Sequence, residues 1–390
     1  MTGEAVVLAE AAGRCLAVLS AHRVSDGERV GWGTWELDAN ADPVGLNCTR
    51  PSLYDGNVGI AWAMRLMGVD PGQVVTGAEP PGLLGGAAGT VLAGGGTLPS
   101  SDVDRGNDLG DGIAGDLLVL VRTGSTDTDR VACLVEALAR AAVRIDDMAC
   151  WGDPRLPADR PLCGLAHGAS GIAIALAEAA VAYPSVAPVA VPLIGDALRW
   201  ESAWYDPVHG WPDLRADGGG YPVLWCHGAG GIGATRLRLL ELARMGLDLD
   251  YPADAVAAEA SAAVLACGRE LTRAVGVARK GGLASVPYGL TLCHGAGGLL
   301  DVLVQAAEVW DEPGHLQAAR RIAVDLLATA PEDPLEWPSG LKAPGCLGLF
   351  VGVAGTALLL TRLADPTGMG TLSLLGPFRQ SGSVRAVTGR

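Results

Sequence analysis

The sequence predicts an all-α protein, a ring of about seven inner helices surrounded by about seven outer ones. Three observations predict it. A glycine motif, G-x-x-G or G-x-G-G, followed by an apolar helical run occurs seven times in 390 residues. The segments between the later copies are rich in Ala, Leu and Val, with charges at helical spacing. No alternating apolar/polar pattern of useful length appears.

The seven copies read DGNVGIAWAM from Asp55, GGAAGTVLAG from Gly85, DGIAGDLLVL from Asp111, HGASGIAIAL from His167, HGAGGIGATR from His227, HGAGGLLDVL from His294 and VGVAGTALLL from Val351. Their first glycines are Gly56, Gly86, Gly112, Gly168, Gly228, Gly295 and Gly352, so the steps are 30, 26, 56, 60, 67 and 57 residues. The later steps each suit an outer helix followed by an inner one. The first two are short, so the early outer helices must be brief or irregular. Thr128 to Ile145, Ala253 to Ala274 and His315 to Ala330 read as outer helices. The loops Arg23 to Leu53 and Trp200 to Leu224 are rich in Trp, Gly and Pro, and the second has room for a short hairpin. Residues 1–390 read as one domain, with an irregular tail over 364–390. Small residues at each inner-helix start let backbones approach closely, and a helix N-terminus presents free N–H groups. Seven such starts around one axis give a tight ring with a cavity at one end.

Composition bounds the function. Glycine makes up 56 of 390 residues, roughly twice the usual share, but without a three-residue period. With 49% hydrophobic and 18% charged residues the chain can bury a sizeable core, which excludes a disordered or collagen-like protein. The net charge of −15 and the lack of any Lys/Arg cluster argue against nucleic-acid binding. Glu4, Glu10 and Arg14 interrupt the apolar N-terminus, so no secretory signal is read and a cytoplasmic location is expected. Ala343 to Thr361 carries no charge, yet it contains a repeat copy and reads as a buried helix with its entry loop, not a membrane span. Nine cysteines, an odd number in a large chain, argue for free thiols rather than a disulfide framework. A P-loop pattern is absent, and no strand precedes the glycines as a dinucleotide fold requires.

The chemistry sits in four copies. Only six histidines exist, and three of them, His167, His227 and His294, stand directly before a first motif glycine. Two follow a cysteine, in Trp225-Cys226-His227-Gly228 and Leu292-Cys293-His294-Gly295. Two thiolates and an imidazole from adjacent repeats make a Cys2His zinc site whose fourth position is left to water or substrate, the pattern of a catalytic zinc. His227 is open to three readings: a fourth ligand, a neighbour that supports the ligands, or a hydrogen-bonded histidine at a helix start. His167 has no adjacent cysteine and suits proton transfer. In Asp108-Leu109-Gly110-Asp111-Gly112, Asp111 reads as a helix cap, and Asp108 either caps or points into the cavity. Cys163 and Cys267 read as buried core thiols.

These residues on a sevenfold glycine repeat resemble the lanthionine synthetase C-like (LanC) cyclases, from about Leu53 to Leu363. The resemblance implies an α/α toroid with zinc at one end. It also implies a thioether-forming activity, in which a precursor-peptide cysteine adds to a dehydroalanine or dehydrobutyrine made earlier by a dehydratase. It assigns Cys226, Cys293 and His294 as zinc ligands and His167 and Asp108 as candidate catalytic residues. One departure stands out. Many stand-alone members carry an arginine four residues before the first zinc cysteine, where this chain has Pro222, so Arg215 or Lys280 would have to supply that cation. His227 resembles the fused-synthetase and eukaryotic branches, but the chain is too short for an added kinase or dehydratase domain and carries no kinase motif set. The expected function is therefore a zinc-dependent lanthipeptide cyclase. It would act on a dehydrated precursor peptide, leader plus core, beside a dehydratase or kinase/lyase partner, with no nucleic acid and no membrane span. The alternatives are a relative that binds or conjugates a small thiol such as glutathione, and a non-catalytic scaffold of a peptide-modifying complex.

Overall fold

The structure, a computed structural model, describes residues 3–38, 40, 42–75, 80–99, 105–153, 161–215 and 219–376. In chain order the elements are α1 (Gly3–Ala21), β1 (Arg23–Ser25), β2 (Val30–Trp32), β3 (Thr34–Leu37), β4 (Pro43–Asn47), α2 (Asn57–Leu66), α3 (Ala87–Leu92), α4 (Ile113–Arg122), α5 (Thr128–Ala141), β5 (Val143–Ile145), β6 (Met148–Cys150), α6 (Ala169–Ala182), α7 (Ala187–Ala203), α8 (Ala229–Arg244), α9 (Ala253–Gly281), α10 (Ala296–Trp310), α11 (Pro313–Leu327) and α12 (Val353–Ala364). Each of the seven repeats starts one inner helix: α2, α3, α4, α6, α8, α10 and α12. Each packs on the next, and α12 packs on α2, so the inner ring closes. The outer helices α5, α7, α9 and α11 lie against α4, α6, α8 and α10, and α1 comes from the N-terminus to cover α12.

The glycine register explains the closure. Counting from the first motif glycine of each repeat, the residues three before it are Leu53, Leu83, Leu109, Leu165, Trp225, Leu292 and Leu349, and the glycines three after it are Gly59, Gly89, Gly115, Gly171, Gly231, Gly298 and Gly355. The side chain of each of the former packs on the late glycine of the next repeat, and Leu349 packs back on Gly59. A methyl group at any of these seven glycines would meet that side chain at 2.5–3.1 Å and its own repeat's backbone carbonyl at 1.7–2.4 Å. Glycine is therefore required by close packing at all seven entries. Replacing Gly171 by alanine is expected to cost about 1–3 kcal/mol through forced shifts. Gly268, in the outer helix α9, has nothing within 4 Å of such a methyl, and its replacement by alanine should stabilise by about 0.5–1 kcal/mol. Urea titration of the two variants checks the contrast; equal effects would refute the packing account.

A second ring runs through the backbone two residues before each motif glycine. The N–H of Tyr54 donates to Leu84 O, Leu84 to Gly110 O, Gly110 to Ala166 O, Ala166 to Cys226 O, Cys293 to Phe350 O and Phe350 back to Tyr54 O, at 2.8–3.2 Å. The circuit slips by one residue only at the fifth repeat, where Trp225 rather than Cys226 donates to Cys293 O. There Gly228 takes φ 77°, a conformation open to glycine at little cost.

Among the described residues there are five outer helices, and the described parts of the short first two steps hold none, in keeping with the brief or irregular elements expected there. One expectation is corrected: the hairpins lie elsewhere. The first loop holds two, β1 with β2 and β3 with β4, where β-formers alternate through Val30 to Leu37 and Asn57 Oδ1 accepts the Trp32 N–H at 2.9 Å. The second loop, broken by Pro207, Pro212 and Pro222, forms no strand among the described residues, only isolated bridges such as Asp206 to Gly210. A third hairpin, β5 with β6, begins after α5 stops at Ala141, within the stretch expected to be helical to Ile145. Among the described residues no helix is long and apolar enough to cross a membrane, and the uncharged stretch at Ala343 is the buried entry of α12. Of the tail, residues 365–376 hold one 3₁₀ turn, Leu372–Leu374, and 377–390 lie outside the described residues.

Candidate metal centre and active site

Because every repeat begins at the same end of the ring, the residues one and two before each motif glycine gather there. They line a cavity of about 280 Å³ whose wall includes Tyr54, His167, Arg215, Cys226, His227, Cys293 and His294. A sulfur of Cys226, a sulfur of Cys293 and an imidazole nitrogen of His294 all lie within 4.8 Å of one another. His294 Nε2 is 3.6 Å from Cys293 Sγ, while Nδ1 is buried with no partner among the described residues. All nine cysteines are free thiols. The neighbouring Cys293 thiol and then His294 hold Cys226 well below the ordinary thiol range, whereas burial and the neighbouring Cys226 push Cys293 up. Two soft sulfurs and one imidazole, buried and open to a cavity on one side, fit a zinc ion, and three protein donors leave one position for another ligand.

His227 is not in this trio. It is 4% exposed, its ring centroid is 6.0 Å from that of His167, and burial holds it below the ordinary imidazole range. His167 Nδ1 is 2.8 Å from Asp108 Oδ2. Asp108 Oδ1 accepts the N–H groups of Asp111 at 2.8 Å and Gly112 at 3.0 Å. Asp108 thus both braces the turn that leads into α4 and partners His167, and it is not among the residues lining the cavity. Asp111, expected to cap, lies on the cavity wall. The missing side chain of Gly110 makes room for His167: a methyl there would stand 3.0 Å from the imidazole Cε1.

Of the two basic side chains considered in place of the residue at Pro222, Arg215 lines the cavity and Lys280 does not. Arg215 is held by Asp213 at 2.6 Å. That bond, and then the nearby Cys226 and Cys293, push its pKa up. Cys163 and Cys267 are buried thiols; burial raises Cys163 well above its usual range and Cys267 to about 12.

Sequence reasoning missed two residues. Tyr54 lies on the cavity wall with Cys293, and burial followed by that neighbour pushes its pKa up. The signal was present, since Tyr54 holds in the first repeat the place that Cys226 and Cys293 hold in theirs. Asp153 lies outside the repeats, after β6, yet its carboxylate groups with Asp108 and His167 within 4.8 Å; no spacing points to it.

Fold and site together define an α/α toroid with two thiols and an imidazole converging at one end. The family model described as "Lanthionine synthetase C-like protein" matches residues 96–371, and the chain belongs to that family. Among solved structures it is similar to nisin cyclase, at 15% identity and a TM-score of 0.56, over 84% of this chain and 93% of that one. No curated protein matches the sequence.

Proposed function

We propose that this chain is a zinc-dependent lanthipeptide cyclase, which joins cysteines of a dehydrated precursor peptide to dehydroalanine or dehydrobutyrine residues as thioethers. One observation carries the reading: the Cys226, Cys293 and His294 donors open onto the same small cavity as His167. These three residues hold the ion. When bound there, zinc lowers the pKa of a substrate thiol so that it is ionised at neutral pH.

The reaction forms one C–S bond at the β-carbon and leaves an enolate that needs one proton at the α-carbon. The proton lost by the thiol equals the proton gained at carbon, so a single imidazole can carry both. His167 is that group, acting through Nε2, the nitrogen that Asp108 does not hold. Asp108 fixes the ring orientation and steadies its protonated form. Arg215 places positive charge beside the sulfurs and the developing enolate, the task left open by Pro222. The cavity holds both peptide segments together, which supplies proximity and selects one face for attack.

The test is incubation with dehydrated precursor peptides, followed by thiol alkylation and mass spectrometry. Loss of alkylatable thiols at unchanged peptide mass is the expected result. Thiols left free in every peptide, with glutathione conjugated instead, would replace this reading by a small-thiol transferase.

A further inference from the structure

We propose that Glu201, on the outer helix α7, is the positioning residue that sets His167 against the metal centre; this rests on the reading of His167 as the proton carrier. Glu201 Oε1 accepts the N–H of Gly164 at 2.8 Å and of Ser170 at 3.0 Å. These residues stand three before and three after His167, so one carboxylate oxygen ties both ends of its loop. Oε2 accepts the Ser170 hydroxyl at 2.5 Å and Arg236 Nη2 at 2.9 Å. Arg236 lies on α8, the helix that follows Cys226 and His227. Glu201, Ser170 and Arg236 are all 0% exposed.

The clamped loop also rests directly on the other half of the site. Ala166 N–H donates to Cys226 O at 3.2 Å, and a methyl on Gly164 would lie 3.1 Å from that same oxygen and 3.2 Å from His227 Cα. Glu201 thus ties the His167 loop to α8, the helix that follows Cys226 and His227, while Asp108 holds the ring from the preceding repeat. A buried carboxylate fully used on two loop amides, a hydroxyl and a guanidinium fixes distance and angle between the two parts of a site, and a misplacement near 1 Å can cost about a hundredfold in rate.

Arg236 provides an internal control. Its Nε donates to Glu259 Oε2 at 2.6 Å, and no hydrogen bond joins Glu259 to the His167 loop among the described residues. Arg236 Nη1 also donates to the Ser170 hydroxyl at 3.2 Å; Glu201→Gln and Glu259→Gln each remove one carboxylate from this guanidinium, but only the first removes the direct acceptor of the Gly164 and Ser170 amides. With the full chain, Glu201→Gln is expected to lower kcat on dehydrated peptide roughly 10- to 100-fold with KM and zinc content unchanged. Glu259→Gln should lose comparable thermal stability yet keep a near wild-type kcat. Equal losses of kcat in both, or a folded Glu201→Gln with wild-type kcat, would overturn the proposal. Should Glu201→Gln fail to fold, Ser170→Ala takes its place, and wild-type kcat there counts against the clamp. Should the wild-type chain cyclise no peptide, the function reading fails by itself. The clamp is then read from the ¹⁵N resonances of the His167 imidazole, which should move in Glu201→Gln and not in Glu259→Gln; unmoved resonances in both would overturn it.

Discussion

Replacing Cys226 or Cys293 by alanine is expected to take the zinc content from about one ion per chain to near zero and to reduce thioether formation at least a thousandfold, while the chain stays folded. Even groups that only hydrogen-bond a metal's ligands are worth about 10- to 100-fold in affinity, and a lost thiolate would remove one of the three proposed ligands. The fold does not depend on the ion in the way a small zinc domain does. Each cysteine sits in a backbone circuit closed by seven repeats and in a core of inner-helix side chains. Metal analysis, thermal melting and the peptide assay on the same samples check the triad of outcomes. Cys267→Ala, a buried thiol on α9 away from the cavity, is the control and should keep both zinc and activity. Loss of the cooperative thermal transition in the Cys226 and Cys293 variants would make the ion structural; retained zinc would refute the ligand assignment.

The inner ring was legible because its cause is local and repeated. A glycine three residues into each helix and an apolar residue three before the motif are what close packing demands, so seven copies of the motif imply seven inner helices. The outer layer was less legible because nothing so strict governs it. Between α2 and α3, and between α3 and α4, the chain is too short for a helix return, and no residue pattern announces that α1 covers α12. The two hairpins between Arg23 and Asn47 were missed for a related reason: strands of three to five residues leave too short an alternation to read.

In the site, residue types that are rare and sit in register were found: Cys226, Cys293, His294 and His167. Residues whose role depends on a partner distant in sequence were not. Asp108 and Asp111 are three apart and both precede a helix start; only the approach of His167, from the next repeat, shows which one holds the imidazole. Tyr54 was masked by its type, since a tyrosine at a ring entry reads as core until Cys293 is seen beside its hydroxyl. Glu201 lies on an outer helix among apolar residues, and its targets Gly164 and Ser170 are more than thirty residues away.

The second large effect is expected at His167. His167→Asn should lower kcat by about 10²- to 10⁴-fold while zinc content and peptide KM hold, because the asparagine cannot carry the proton yet leaves Cys226, Cys293 and His294 untouched. Asp108→Asn should follow it in kind with a smaller loss of about 10²-fold. Its amide oxygen still caps Asp111 and Gly112, so the fold is kept, but the amide cannot steady a protonated imidazole. Asp108→Ala also removes the acceptor of the Asp111 and Gly112 N–H groups and should cost a further ~1–3 kcal/mol of stability, which separates the two duties of one side chain. The product itself gives a sharper readout than the rate. A fixed donor protonates the enolate from one face and yields one configuration at the α-carbon, whereas solvent reaches both. Chiral analysis of the thioether amino acids should therefore show a single diastereomer from the wild type and a mixture from His167→Asn. A slow variant that still gives one diastereomer would mean that another group delivers the proton, and Tyr54 on the same cavity wall would be the first to examine.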